Sequence, residues 1–242
     1  MDAAFAACEA AVRRVDPDRY FSTLFAPAEK RPFLFALYAF NHEIARIGET
    51  VRDPMMGEIR LQWWRETVES AREGRPRAHD VARALAATFA RIDLPTEPFE
   101  AMINARAFDF SPDVFANDAA RDAYLDATSG NLIRLAAWLL GTRDVHDDLA
   151  REAGIAYGLA GLIRSQPFHA ARNKSFLTDP STARVDARDR LAQARRLAKP
   201  RRAVAAFLPA ALVPLYLRNP KKDVPLYRKQ LAMLAASMRG SI

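Results

Sequence analysis

Two stretches of this 242-residue chain place polar or small residues at the three- and four-residue spacing that lines one side of a helix. The first runs from Leu37 to Glu49 and the second from Gly154 to Leu177. Carboxylates at an i, i+4 spacing share one helix face, where they could act together on a hard cation such as magnesium. Most of these positions hold residues without a carboxylate here. The residue types therefore do not suit metal-assisted chemistry.

Seven positions decide this interpretation, and they are Asn41, Ala45 and Glu49 in the first stretch and Gly158, Gly161, Ser165 and His169 in the second. Only Glu49 offers a carboxylate. An alanine or a serine cannot replace an anionic magnesium ligand, and imidazole prefers softer transition metals. We predict no catalytic residue and no metal site among these positions, and no cofactor for the chain.

Three basic residues of the second stretch are candidate anion ligands, namely Arg164, Arg172 and Lys174. Guanidinium groups bind phosphate without the help of a metal. The alternative, that all three are solvated or form structural pairs, stays open at this point.

Other catalytic motifs are absent from the sequence. The four histidines form no H-E-x-x-H pair, and there is neither a phosphate-binding glycine loop nor a G-x-S-x-G elbow. The acidic run 144–148 is predicted to be a loop and a helix cap. Trp63 and Trp64 are predicted to pack their helix on its neighbours rather than to form a ligand cage.

The composition favours an all-α protein. Half of the residues are apolar, glycine is scarce, and no run of alternating Val, Ile and Thr appears. We predict one domain over residues 1–242. The single cysteine, Cys8, cannot form an internal disulfide, and no secretory signal is apparent, so we expect a cytoplasmic protein.

The net charge of +7 and the pI near 9.8 favour an acidic partner such as anionic lipid, a diphosphate or an acidic protein face. No nucleic-acid-binding motif is present, and we expect no nucleic acid. The apolar run from Ala203 to Leu217 is too short to span a bilayer and contains two prolines, which predicts a buried, kinked helix. Basic residues flank it, so we expect peripheral binding to the inner face of the membrane.

The apolar spacing and the Gly, Pro and Asp positions predict helices over 2–15, 18–24, 31–51, 55–73, 79–92, 96–109, 118–140 and 147–165, with a last one from about residue 224. A polar linker is predicted from Thr178 to Arg188. Pro167 is predicted to end or kink the helix of the second stretch, because it cannot donate to the carbonyl of Ile163.

Both stretches resemble the aspartate-rich regions of the squalene/phytoene synthase family. The first begins like the family's L-Y-A-aromatic helix, which continues C-R-x-x-D-x-x-x-D. The second follows Q-x-x-N-I-L-R-D-x-x-E-D-x-x-x-G-R-x-Y-L-P, in which Arg164 and Leu177 match. Asp109 and Tyr124 also match family positions, and the resemblance extends over residues 20–235.

The resemblance implies an isoprenoid-synthase-type helical bundle, in which the two motif helices face each other across a central apolar cavity. The loss of the aspartates resembles one branch of the family, which includes an assembly factor of mitochondrial complex I. That branch is similar to this chain over residues 39–45 and 158–172.

This branch implies a non-catalytic protein that helps to assemble a membrane-bound NADH:quinone oxidoreductase through its membrane-arm subunits. Two alternatives stay open. One is an active head-to-head prenyl-diphosphate transferase that uses magnesium through an altered ion site. The other is a carrier that binds an isoprenoid or another lipid without catalysis.

Overall fold

The structure is a computed structural model that describes residues 2–51, 53–111, 113–143, 147–197 and 201–242. Within these ranges every regular element is helical and there is no strand. The all-α fold class predicted from the composition is therefore confirmed.

The helices of the described residues are numbered in chain order. They begin with α1 Ala3–Val15, α2 Pro17–Thr23, α3 Arg31–Ala45, α4 Ile47–Thr50, α5 Pro54–Arg72, α6 Asp80–Phe89 and α7 Glu97–Ala105. They continue with α8 Asp118–Leu125, α9 Asn131–Leu139, α10 Asp147–Ala170, α11 Pro180–Arg196, α12 Val204–Phe207, α13 Val213–Arg218 and α14 Leu226–Arg239. Short 3-10 helices cover Arg106–Phe110, Arg201–Ala203 and Leu208–Leu212, and a π-helical turn covers Asp126–Gly130.

An Asp-Pro pair starts three of these helices. Asp16, Asp53 and Asp179 each accept a backbone N–H of the first turn, at 3.0, 2.8 and 2.9 Å. The proline that follows each aspartate needs no hydrogen-bond acceptor there, and its ring already has a helical φ. Local sequence alone therefore sets where α2, α5 and α11 begin.

The predicted helix over 31–51 is in fact two helices. The chain leaves α3 after Ala45, and Arg46 caps it before the short α4. Ala45 and Glu49 therefore lie on either side of a one-residue turn, in which Arg46 keeps a right-handed helical backbone.

The prediction of a polar linker over 178–188 is wrong, because α11 runs through it to Arg196. Its buried face consists of Ala183, Ala187, Leu191 and Ala194. This face is hard to recognise in the sequence because three of its four residues are alanines, which contribute little to an apolar pattern. Eight arginines, aspartates and serines elsewhere on the helix make the segment look polar.

Four further features differ from the predictions. The segment 96–109 ends in the 3-10 turn at 106–110, and 118–140 is interrupted by the π-helical turn. The apolar run 203–217 is buried as predicted, but its prolines divide it into short 3-10 and α-helical pieces. The helix of the second stretch does not end at Pro167 but continues to Ala170, and a kink at Pro167 stays a prediction. Residues 144–146 of the predicted acidic loop lie outside the described residues.

The buried apolar side chains form one cluster that extends from Ala4 to Ile242. Helix α9 packs against both α3 and α10, so it lies between the two helices that carry the predicted motifs. Trp64 is 4% exposed and meets Phe40 edge to face, which confirms its packing role. That the whole chain is a single domain stays a prediction.

A buried ion-pair network attaches α11 to α8 and α10. Arg190 binds Glu152 at 3.0 Å and also pairs with Asp122. Arg121 pairs with Asp122 at 2.8 Å and with Asp186. Three of these side chains are about 5% exposed, so each charge depends on its partner. No helix of the described residues is long and apolar enough to cross a bilayer.

Candidate functional site

The first motif has only one carboxylate, and it faces solvent. Asn41 and Ala45 are half-buried on α3, whereas Glu49 is exposed on α4. A β-carbon added to Gly48 would lie 2.7 Å from the β-carbon of Asp109, so the 3-10 turn at 106–110 lies directly against α4. The turn can approach α4 this closely because Gly48 has no side chain on the facing side.

The carboxylate of Asp109 is bound within the chain. It accepts a hydrogen bond from the Tyr124 hydroxyl at 2.7 Å and pairs with Arg106 at 3.4 Å. Arg106 also donates to the Tyr124 oxygen at 2.8 Å. Burial raises the pKa of Tyr124, and the nearby Asp109 charge raises it further. Asp109 and Tyr124, two residues that the resemblance singled out, thus form a hydrogen-bonded triad with Arg106, whose buried Nε has no partner among the described residues.

The second motif lies on α10, and at three of its positions no side-chain polar group is free to bind a ligand. The Ser165 hydroxyl donates to the carbonyl of Gly161, 2.9 Å away. Gly161 is exposed, with open space where a side chain would be, while Gly158 lies against Leu125 and Ser129. Neither glycine can supply the amide oxygen and nitrogen that asparagine and glutamine would offer.

His169 lies among aromatic rings. Its imidazole is 4.7 Å from the ring of Phe176 and 5.4 Å from that of Phe168. Burial lowers its pKa, and the Asp109 carboxylate partly opposes this effect. The imidazole is therefore held mainly in its neutral form at neutral pH.

These residues do not fit a magnesium diphosphate cluster. Ala45 has no ligand atom, Glu49 points to solvent from a separate helix, and Ser165 is already hydrogen-bonded in its own helix. Among the described residues, no three or more His, Cys, Asp or Glu side chains are grouped for a metal. The absence of a catalytic metal in the working protein stays a prediction.

The three candidate anion ligands have different surroundings. Lys174 donates to the carbonyls of Phe108 at 3.1 Å, Asp113 at 2.9 Å and Ser111. An ammonium group has three N–H donors, so these contacts leave none for an anion. Burial also lowers its pKa.

Both arginines stack on aromatic rings. The Arg164 guanidinium lies 4.0 Å from the centre of the Tyr216 ring and 4.0 Å from the Asp223 carboxylate. That of Arg172 lies 3.6 Å from the centre of the Phe168 ring. Anion binding by these two residues stays a prediction.

Sequence reasoning missed a buried polar cluster beside the second motif, which we call the Asp18 cluster and which consists of Asp18, Tyr157, Tyr216 and Lys229. Asp18 is 6% exposed. Its carboxylate accepts hydrogen bonds from the Tyr157 hydroxyl at 3.0 Å, from Tyr216, and from the Lys229 ammonium at 2.9 Å. Burial and the Asp18 charge raise the pKa of both tyrosines. The four residues come from α2, α10, α13 and α14, and no short motif joins them.

The two motif helices converge on Arg19. Its guanidinium lies 5.8 Å from the centre of the Tyr38 ring on α3 and 5.2 Å from that of Tyr157 on α10, and it pairs with Asp16 at 2.6 Å. The helices therefore both approach one arginine, and polar as well as aromatic groups lie between them, in place of the predicted, largely apolar cavity.

An apolar groove of about 950 Å³ lies in a different place. Small side chains of α7 and α8 and the aromatic rings of Phe108 and Phe115 line it, with Ser111 and Asp113 at its rim. None of the seven motif positions belongs to its lining. The cavity predicted between the motif helices is not this groove.

The squalene/phytoene synthase family model matches residues 12–213 of the chain. A human protein named "NADH dehydrogenase (ubiquinone) complex I, assembly factor 6" is 31% identical over 171 residues, which are 70% of this chain and 51% of that protein. A presqualene diphosphate synthase of Rhodopseudomonas palustris is 28% identical over 149 residues, or 60% of this chain and 52% of the enzyme. The chain spans about half the length of the curated relatives it matches.

Among solved structures, a dehydrosqualene synthase in complex with ligand superposes with a TM-score of 0.81. The two chains are 16% identical, and the superposition covers 98% of this chain and 96% of the other. At this identity the match shows the fold, and it confirms the isoprenoid-synthase-type helical bundle that the resemblance implied.

Proposed function

From the premise that this chain belongs to the squalene/phytoene synthase family, we propose that it is a non-catalytic member that assists assembly of a membrane-bound NADH:quinone oxidoreductase. The non-catalytic part of this proposal rests on the residues at the four positions where the family has magnesium-binding aspartates. Ala45, Ser165 and His169 replace three carboxylates, and the fourth position, Glu49, is exposed on a separate helix.

The carboxylates nearest the motif helices are already used within the chain. Asp18 is buried beside α10 and pairs with Lys229, and Asp109 lies against α4 and pairs with Arg106. Neither carboxylate therefore replaces the missing magnesium ligands.

The assembly role draws its support from the curated relatives that are named as a complex I assembly factor. The partners proposed here are membrane-arm subunits of the oxidoreductase. The basic charge of the chain suits a location at the inner face of the membrane, next to those subunits.

A gene deletion tests the assembly role. We expect the deletion strain to contain less assembled NADH:quinone oxidoreductase, measured by native gel electrophoresis and NADH oxidation by membranes, while its carotenoids and hopanoids are unchanged. Normal oxidoreductase together with a missing isoprenoid product would favour the transferase instead.

Complementation of that strain separates catalysis from fold. Glu49→Gln removes the one retained motif carboxylate from an exposed position, so it should restore the oxidoreductase as well as the parent gene does. A folded Glu49→Gln protein that fails to complement would contradict the non-catalytic proposal.

An enzyme assay tests catalysis directly. Purified protein with farnesyl or geranylgeranyl diphosphate and magnesium should give no squalene or phytoene, while a dehydrosqualene synthase assayed alongside does.

The groove between α7 and α8 favours a second candidate, a lipid or isoprenoid carrier. Its volume of about 950 Å³ and its apolar lining suit a hydrocarbon chain. Native mass spectrometry of protein purified without detergent distinguishes this candidate, because a carrier would retain a lipid mass that organic extraction removes.

A further inference from the structure

The outer face of α14 carries an apolar stripe that the fold does not cover. Tyr227, Leu231, Leu234 and Met238 are 57%, 60%, 46% and 82% exposed. Their spacing of four, three and four residues places them on one side of the helix. Exposed apolar side chains are common singly, whereas an aligned row of four on one helix is characteristic of a contact surface.

The rest of the fold keeps this stripe turned outward. On the opposite side of α14, Met233 and Ala236 are fully buried against the 208–212 turn. Lys229 reaches from the same side to the buried Asp18 carboxylate. The helix cannot rotate its stripe inward without breaking this ion pair and exposing Met233.

The charge around the stripe is strongly positive. Residues 218–242 contain six basic residues and one acidic residue. Lys221 and Lys222 are exposed in the turn before α14, and Arg228 and Arg239 are exposed on the helix itself. An exposed apolar stripe with flanking cations is the pattern of helices that lie in the headgroup region of anionic membranes.

We propose that α14 is a membrane-docking helix that binds the surface of an anionic bilayer. The stripe inserts among the acyl chains at the headgroup boundary, and the flanking Lys and Arg side chains contact lipid phosphates. The sequence-based expectation assigned this contact to the apolar run 203–217, but that run is buried. The proposal rests on the membrane location proposed above and names the helix that makes the contact. Because purified protein and lipid suffice to test it, it can fail while the assembly role holds.

Vesicle co-sedimentation measures the binding. The 242-residue protein should bind vesicles of phosphatidylglycerol and phosphatidylcholine and be released by high salt, with little binding to pure phosphatidylcholine. The triple variant Leu231→Gln, Leu234→Gln, Met238→Gln should have a partition coefficient at least about tenfold below that of the parent protein. Neutralising Lys221, Lys222 and Arg228 to Gln should lower it about fivefold per residue and reduce its salt dependence.

Matched controls come from exposed apolar residues on other helices. Val185→Gln on α11 and Met55→Gln on α5 remove residues that are 55% and 71% exposed, so both should bind as the parent protein does. The circular dichroism of every variant should match the parent, because the changed side chains face solvent.

Three results would overturn the proposal. In the first, the parent protein fails to bind anionic vesicles, and in the second, the stripe variant binds them as tightly as the parent. In the third, analytical ultracentrifugation shows a dimer for the parent and a monomer for the stripe variant, while the variant still binds vesicles. The last would assign the stripe to a second copy of the chain.

Discussion

Asp18 is the residue at which distant parts of the chain meet. Its carboxylate lies on α2 and is 6% exposed, and it binds groups from three later helices. A buried carboxylate is stable only when its charge is compensated, so this residue accounts for the positions of Tyr157, Tyr216 and Lys229. Arg164, the motif arginine, stacks on the ring of Tyr216, a member of the Asp18 cluster.

We expect Lys229→Met to lower the free energy of unfolding by about 2–4 kcal/mol, because it leaves the Asp18 carboxylate buried with only hydroxyl donors. Urea denaturation followed by circular dichroism measures the change. The double variant Asp18→Asn, Lys229→Met should lose less than the single variant, since no uncompensated charge remains. A single variant within about 0.5 kcal/mol of the parent would contradict this view of the Asp18 cluster.

We expect the pKa of His169 in the folded protein to lie below its ordinary value, because burial disfavours the imidazolium. As the pH falls through the ordinary histidine range near 6.5, the unfolded chain takes up the proton first, so stability decreases with falling pH. Heteronuclear NMR titration of the imidazole measures the pKa. The part of the pH-dependent stability that belongs to this residue should disappear in His169→Gln, and an unshifted or raised pKa would show the expectation to be wrong.

At the scale of elements, glycines decide which helices can touch. On α10, a β-carbon at Gly154 would lie 2.6 Å from the backbone nitrogen of Gly130 in the π-helical turn. A β-carbon at Gly57 on α5 would lie 2.6 Å from the ring of Phe110. These close approaches seat the 126–130 and 106–110 turns against their neighbouring helices. In contrast, Gly161 has open space around it and contributes no such contact.

We therefore expect opposite effects from two alanine substitutions on the same helix. Gly154→Ala should destabilise the protein by about 2–3 kcal/mol, because backbone rather than a movable side chain blocks the new methyl group. Gly161→Ala should stabilise it by about 0.5–1 kcal/mol, since alanine restricts the unfolded chain and fits the helix. Thermal unfolding of both variants beside the parent measures the difference, and equal shifts would contradict the packing described here.

At the scale of the whole molecule, α10 packs on α8, α9, α11 and α13, and α9 contacts both motif helices, α3 and α10. The buried cluster continues from α1 to the last residue, and α2 contacts both the C-terminal segments and α3. The N-terminal and C-terminal parts of the chain are therefore joined directly by buried contacts. This connectivity supports the untested prediction that residues 1–242 form one domain.

We expect a single unfolding transition in urea. Trp63, Trp64 and Trp138 report only on α5 and α9, whereas far-ultraviolet circular dichroism reports on every helix. In a single cooperative unit both signals change at the same urea concentration. A tryptophan transition that is complete while much of the helical signal remains would indicate two units instead.

The amino-acid sequence alone determined the all-α class, the family, the Asp-Pro starts of α2 and α5 and the loss of carboxylates at three of the four metal positions, because each depends on residue identity or on neighbours within a few positions. Sequence reasoning failed at Arg46, where α3 ends, and at α11, whose buried face is mostly alanine. Only the tertiary structure decided that Asp18 meets Lys229, 211 positions away, that Lys174 is bound by carbonyls, and that the stripe on α14 faces outward. Local spacing specifies which residues share a helix face, but which other element covers that face depends on how all the helices fill the core together.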